Sequence, residues 1–68
     1  MIKHYDLVEL VVDLPQENLT KGMVGTVVDV YQDPPGYEVE FTDDEGRTLG
    51  LLGLAPEQVR PLSGSADP

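Results

Sequence analysis

Sixty-eight residues carry 4 Lys/Arg against 13 Asp/Glu, a formal net charge of −9, with no cysteine and no tryptophan. That length holds one small domain, which buries only about 60% of the surface its unfolded chain exposes. The charge repels phosphate backbones, the missing cysteines exclude disulfide staples and thiolate metal sites, and no apolar run approaches the roughly 20 residues of a membrane span.

Turn residues recur about every ten positions, the rhythm of a small all-β sandwich or barrel. The first strand is predicted over residues 5–14. Val8, Leu10, Val12 and Leu14 take one face; Tyr5, Leu7, Glu9, Val11 and Asp13 take the other. Pro15 ends it, and residues 16–21 read as a polar loop. The second strand follows in residues 21–32, where Val24, Thr26, Val27, Val28 and Val30 favour extended backbone. Of its two glycines, one serves a turn needing positive φ and the other a bend or close strand approach.

Asp33-Pro34-Pro35-Gly36 reads as a compact loop, since proline cannot extend a central strand. The third strand, residues 37–42, has the clearest alternation. Tyr37, Val39 and Phe41 point one way, and Glu38, Glu40 and Thr42 the other. Asp43-Asp44-Glu45-Gly46 is a hairpin turn with glycine at the left-handed position, and residues 47–54 return as the partner strand. Pro56 opens a single 3₁₀ turn, with Glu57 beside its N-terminus. Residues 60–62 make a last short edge strand, and residues 63–68 are expected to be a disordered tail. The domain thus spans residues 1–62. Five strands, a long first loop, two hairpins and a 3₁₀ turn before strand five are the parts, in order, of an SH3-like barrel. Its expected core is Val8, Leu10, Val12, Val28, Val30, Val39, Phe41, Leu49 and Leu51.

Catalysis is poorly supplied. His4 is the one histidine, and the serines, Ser63 and Ser65, lie in the expected tail, so no Ser/His/Asp or Cys/His arrangement is available to the fold. Acids are plentiful, yet general acid–base work needs a pocket that shifts their pKa values, and a barrel this small fills with side chains. Arg47 and Thr48 begin a strand, where a calcium loop would need about twelve residues ending in a bidentate glutamate. No enzyme activity, metal or cofactor is expected. The basic residues Lys3, Lys21, Arg47 and Arg60 are scattered without interleaved aromatics, which disfavours nucleic acid. The N-terminal residues lack the apolar core of a signal peptide, so a cytoplasmic address is expected.

What remains is a surface. Glu38 and Glu40 stand outward on strand three, Asp43 and Asp44 crown its hairpin, and Tyr5, Leu7, Val11 and Tyr31 exceed what five strands bury. Val27 and either Leu52 or Leu54 are also candidates for exposure. Tyr5, Leu7, Val11, Tyr31, Glu38, Glu40, Asp43 and Asp44 are the candidate partner-binding residues. They are set for a basic protein, with a homodimer or a nucleic-acid-binding module as the alternative.

The Gly22-x-x-Gly25-Thr26-Val27 pattern is similar to that of many SH3-like barrels, including ribosome- and transcription-associated KOW modules. Asp6-Leu7-Val8, Asp13-Leu14-Pro15, residues 21–28, residues 37–41, residues 44–48 and the final residues 54–62 together resemble a small bacterial family, domain of unknown function 4926. That resemblance implies the fold and no mechanism. A wider similarity is to SH3-like accessory subunits of electron-transfer complexes, such as the ferredoxin–thioredoxin reductase variable chain, which implies a non-catalytic docking role.

Overall fold

The computed structural model describes residues 2–62, so the expected tail at 63–68 lies outside the described residues. Five strands form one antiparallel sheet: β1 (Leu7–Leu10), β2 (Val24–Gln32), β3 (Pro35–Thr42), β4 (Thr48–Leu54) and β5 (Val59–Pro61). Their spatial order is β4-β3-β2-β1-β5, so a meander of three strands beside β1 is completed by a last strand returned to β1's other side. Single 3₁₀ turns occupy Pro15–Glu17 and Pro56–Gln58, the second just before β5 as the sequence predicts. Its Gln58 side chain accepts the Ala55 N–H at 2.8 Å, which holds the turn closed. No helix among the described residues is long and apolar enough to cross a membrane.

The core is Val8, Leu10, Leu19, Val27, Val39, Phe41, Leu54 and Val59, with no buried polar or charged residue among those described. Four of these, Val8, Leu10, Val39 and Phe41, are legible from alternation alone. The others correct the sequence reading. β1 ends at Leu10, so Val12 leaves the strand and is only half-buried. Leu19, in the stretch read as a polar loop, is fully buried. Its backbone bridges Leu14, folding the long connection back over the core. Pro35 is the first residue of β3 rather than part of a loop, a position where its missing N–H costs least.

One bulge reverses the faces expected for Val27 and Val28 on β2, and another those expected along β4, while Val30 and Tyr31 lie inward and outward as the sequence predicts. On β2, Val27 pairs with Val39 but Asp29 pairs with Glu38, so Val28 is an extra residue without a partner. Val27 therefore points inward and is fully buried, whereas Val28 is not part of the core and Val30 is half-buried against it. On β4, Thr48 pairs with Thr42 but Gly50 pairs with Phe41, so Leu49 is the extra residue. Leu52 and Leu54 then share the inner face with Val39 and Tyr37, and Leu49 and Leu51 are left 50% and 55% exposed. Each extra residue flips the period-2 pattern, as a one-residue slip must.

This register makes a clear prediction. Leu49→Thr and Leu51→Thr should each change unfolding free energy by no more than about 0.5 kcal/mol, the usual range for surface substitutions. A urea titration showing a core-sized loss for either would place that leucine inside.

Two glycines serve the purposes expected of them. Gly22 has φ +96° in the turn before β2, a conformation costly for any residue with a Cβ. Gly25 lies against the core: a Cβ built there would stand 2.6 Å from Val39 Cγ1 and 2.9 Å from Phe41 Cδ1.

Candidate functional site

The sheet has an inner face around Val39 and Phe41 and an outer face around Glu38 and Glu40. Register assembles the outer face row by row. Leu7 pairs with Thr26, Thr26 with Glu40, and Glu40 with Leu51, so two exposed leucines flank a threonine and a carboxylate across four strands. The next row on the β3 side runs Asp29–Glu38–Gly53. Asp29 and Glu38 are thus like charges placed opposite each other, an arrangement unfavourable to the sheet itself.

Among the described residues the outward acids of β3 carry hydroxyl partners and no cation. Glu38 accepts the Tyr31 hydroxyl at 3.0 Å, and Glu40 accepts the Thr48 hydroxyl at 2.7 Å. The bond to the Glu38 carboxylate, followed by desolvation and the negative charges of Glu38 and Asp29, raises the Tyr31 phenol above its ordinary value. Asp29 meets His4 Nε2 at 3.4 Å. The arginines are engaged elsewhere: Arg60 Nε donates to Glu9 at 2.8 Å, and Arg47 contacts Asp43 and Glu45 at its own hairpin.

The eight candidate residues separate into three groups. Tyr31, Glu38, Glu40 and Leu7 share the outer face, Tyr31 being joined to Glu38 directly and Leu7 to Glu40 through Thr26. Asp43 and Asp44 sit at the β3–β4 turn, but Asp43 is turned onto its own hairpin. It accepts the backbone N–H groups of Glu45 at 2.8 Å and Arg47 at 2.9 Å, as well as Arg47 Nε. The Arg47 amide bond leads the effects that hold the Asp43 carboxyl below its ordinary value, and it makes this acid a turn-former. Asp44 is exposed beside it.

Tyr5 and Val11 do not form a strand face with Leu7, because β1 spans only Leu7–Leu10. Tyr5 is 75% exposed at φ 69°, an unusual conformation for a bulky side chain, with its N–H donating to the Val27 carbonyl. Val11 is half-buried, and its N–H donates to the Gln58 carbonyl at 2.9 Å.

Sequence reasoning missed Val24, Leu49 and Leu51 as exposed apolar residues. In residues 49–54 either phase of the alternation offers two leucines and one glycine, so only the bulge decides which pair faces out. An open groove of about 470 Å³ lies where β4 ends against the β2–β3 hairpin, lined by Tyr31, Pro34, Pro35, Gly53 and Leu54 with Asp33. Among the described residues no group of three or more His, Asp or Glu is placed to hold a metal ion.

No curated protein and no solved structure matches the chain. The family model described as "Domain of unknown function (DUF4926)" matches residues 4–61, nearly all of the described fold. By that match, which takes in all five strands and both 3₁₀ turns, the chain belongs to the DUF4926 family.

Proposed function

We propose that this protein is a non-catalytic interaction module whose outer sheet face binds a basic protein. The observation that carries the reading is the pairing of exposed leucines with outward carboxylates that meet only hydroxyl groups. An apolar patch gives a partner area to bury, and the acids beside it supply complementary potential that raises the association rate and rejects acidic competitors. The Asp29–Glu38 opposition supports the same reading, since His4 lies against Asp29 and a cation brought by a partner gives Glu38 a countercharge of its own. The small size and the charge of −9 suit one particular role, an antidote or immunity-type protein that masks the positive face of a toxin.

The test is affinity capture from a host lysate at low salt, followed by identification of the captured protein and rebinding of its purified form. The expected result is a basic protein whose dissociation constant rises steeply with salt, as exposed charge attraction requires. Recovery of no basic protein that rebinds in purified form would overturn the reading.

A further inference from the structure

We propose that the free edge of β4 receives an extended, cationic segment of the partner as a sixth strand. This deepens the reading above and rests on it. The two edges of the sheet differ in kind. β5 is three residues long, contains Pro61, and carries Arg60 tied to Glu9, all features that blunt strand addition. β4 has seven residues, Thr48–Leu54, with no proline and no charge. Among the described residues its backbone hydrogen-bonds only to β3, which leaves a row of N–H and C=O groups facing outward. Such an edge is a template for another strand, with main-chain bonds supplying affinity and alternate side chains supplying specificity.

The side chains beside this edge select the occupant. On the outer face the β4 row reads Leu51 then Gly53, and Gly53 is the register partner of Glu38. A Cβ at Gly53 would lie 3.5 Å from Glu38 Oε1, in ordinary contact, so the exposed bare glycine leaves no side chain of its own between the carboxylate and the edge. A Lys or Arg opposite Gly53 on an added strand lies two strand spacings from Glu38, roughly 9.6 Å, and its long stem crosses the bare glycine to bring the charge to the carboxylate. A second cation, opposite Leu51, lays its stem over that leucine and extends its head toward Glu40. The groove at Tyr31, Pro34, Pro35 and Leu54 then takes an apolar residue at the end of the segment, with Asp33 beside it.

A second copy of this chain is a poorer occupant. Its own β4 brings no cation, and pairing would join two bodies of charge −9 over a strand pair too short for a stable dimer interface.

The probe is a capped Val-Lys-Val-Lys-Val-Lys-Val peptide, compared with the same peptide N-methylated at every residue. The N-methylated peptide keeps the charge and cannot complete a ladder. Amide NMR and hydrogen exchange on the full chain are expected to show added protection confined to β4 with the first peptide and none with the second. Gly53→Lys should weaken binding of the first peptide by about tenfold or more, by placing a cation over Glu38. Val24→Lys adds the same charge on the outer face away from β4 and should weaken it less.

Equal, salt-sensitive binding of both peptides would overturn the edge site while leaving the basic-partner reading intact. Absence of binding by the unmethylated peptide at low salt would also overturn it. Protection of β4 that grows with protein concentration without peptide would assign the edge to a second copy and overturn the proposal as well.

Discussion

Gly25→Val is expected to leave the chain unfolded, and Gly25→Ala to cost about 3 kcal/mol, the upper end of what overpacking a filled core costs. The reason lies in what surrounds this position. Gly25 is buried between β1 and β3, paired with Val8 on one side and Phe41 on the other. A methyl group there meets Val39 Cγ1 at 2.6 Å and two Phe41 ring atoms at 2.9 Å, distances that no real Cβ tolerates. Val39 and Phe41 are themselves wholly buried, so neither yields without disturbing the rest of the core. A domain of this size has roughly 3–10 kcal/mol of stability in total, so one misplaced methyl consumes much of it.

Gly22, three residues earlier, makes the mechanism separable. Nothing lies within 4 Å of its absent Cβ, but its φ of +96° penalises any L-residue. Gly22→Ala should therefore cost about 1–2 kcal/mol through backbone strain alone. D-alanine at position 22 should restore stability, whereas D-alanine at 25 should not, because Gly25 is not among the positive-φ glycines and a D-residue is strained in ordinary strand backbone. Urea denaturation followed by circular dichroism measures each of these variants against the wild type. A Gly25→Ala protein as stable as the wild type would mean that β2 does not pack against Phe41 in this way.

That contrast also marks what can be read from the residues in order. The strands, the 3₁₀ turn at Pro56 and the left-handed glycine of the β3–β4 turn, Gly46, follow from local chemistry: alternation, proline placement and the few residues that accept positive φ. Which face of β2 and β4 enters the core does not. A run such as Leu49-Gly50-Leu51-Leu52-Gly53-Leu54 is nearly symmetric under a one-residue slip, and the phase is set by pairing to Phe41 and Val39 across the hairpin. Val27 and Val28 pose the same ambiguity, resolved by a bulge opposite the Val39–Glu38 step.

The candidate surface was legible to the extent that it depends on β3, where alternation places Glu38 and Glu40 outward without ambiguity. The apolar half of the face was not, since Leu49 and Leu51 were assigned inward by the same phase error. Arg47 beside the acidic turn reads as the partner of its own hairpin, as the structure has it, whereas the bonds from Asp43 to backbone amides are ones that sequence does not display. Tyr5 and Val11 were placed on a strand that Leu10 ends.

Reversing both outward charges of β3, Glu38→Lys with Glu40→Lys, is expected to weaken association with the cationic partner by about tenfold or more at low salt. The net charge becomes −9 + 4 = −5, still strongly acidic, so a change in global charge is a small part of the effect. The larger part is local, since the two carboxylates lie beside Leu51 and the bare Gly53 where the partner's cations are expected to settle. Most of the loss should appear in the association rate and shrink as salt is raised, because attraction between exposed charges steers encounter within about one Debye length. The fold should survive, as neither glutamate pairs with an internal cation.

An internal reporter checks that the right group has been altered. The Tyr31 phenol is held above its ordinary value chiefly by its hydrogen bond to Glu38, so the variant's Tyr31 should ionise at lower pH than the wild type's. The sign follows because removing the carboxylate removes what favours the neutral phenol. Glu17→Lys with Glu57→Lys also gives −5 but alters the two 3₁₀ turns instead of β3. If that pair weakens binding as much as the β3 pair, the partner senses total charge and not this face. If the β3 pair leaves binding untouched while Tyr31 shifts as expected, the outer face of β3 is not where a basic protein docks.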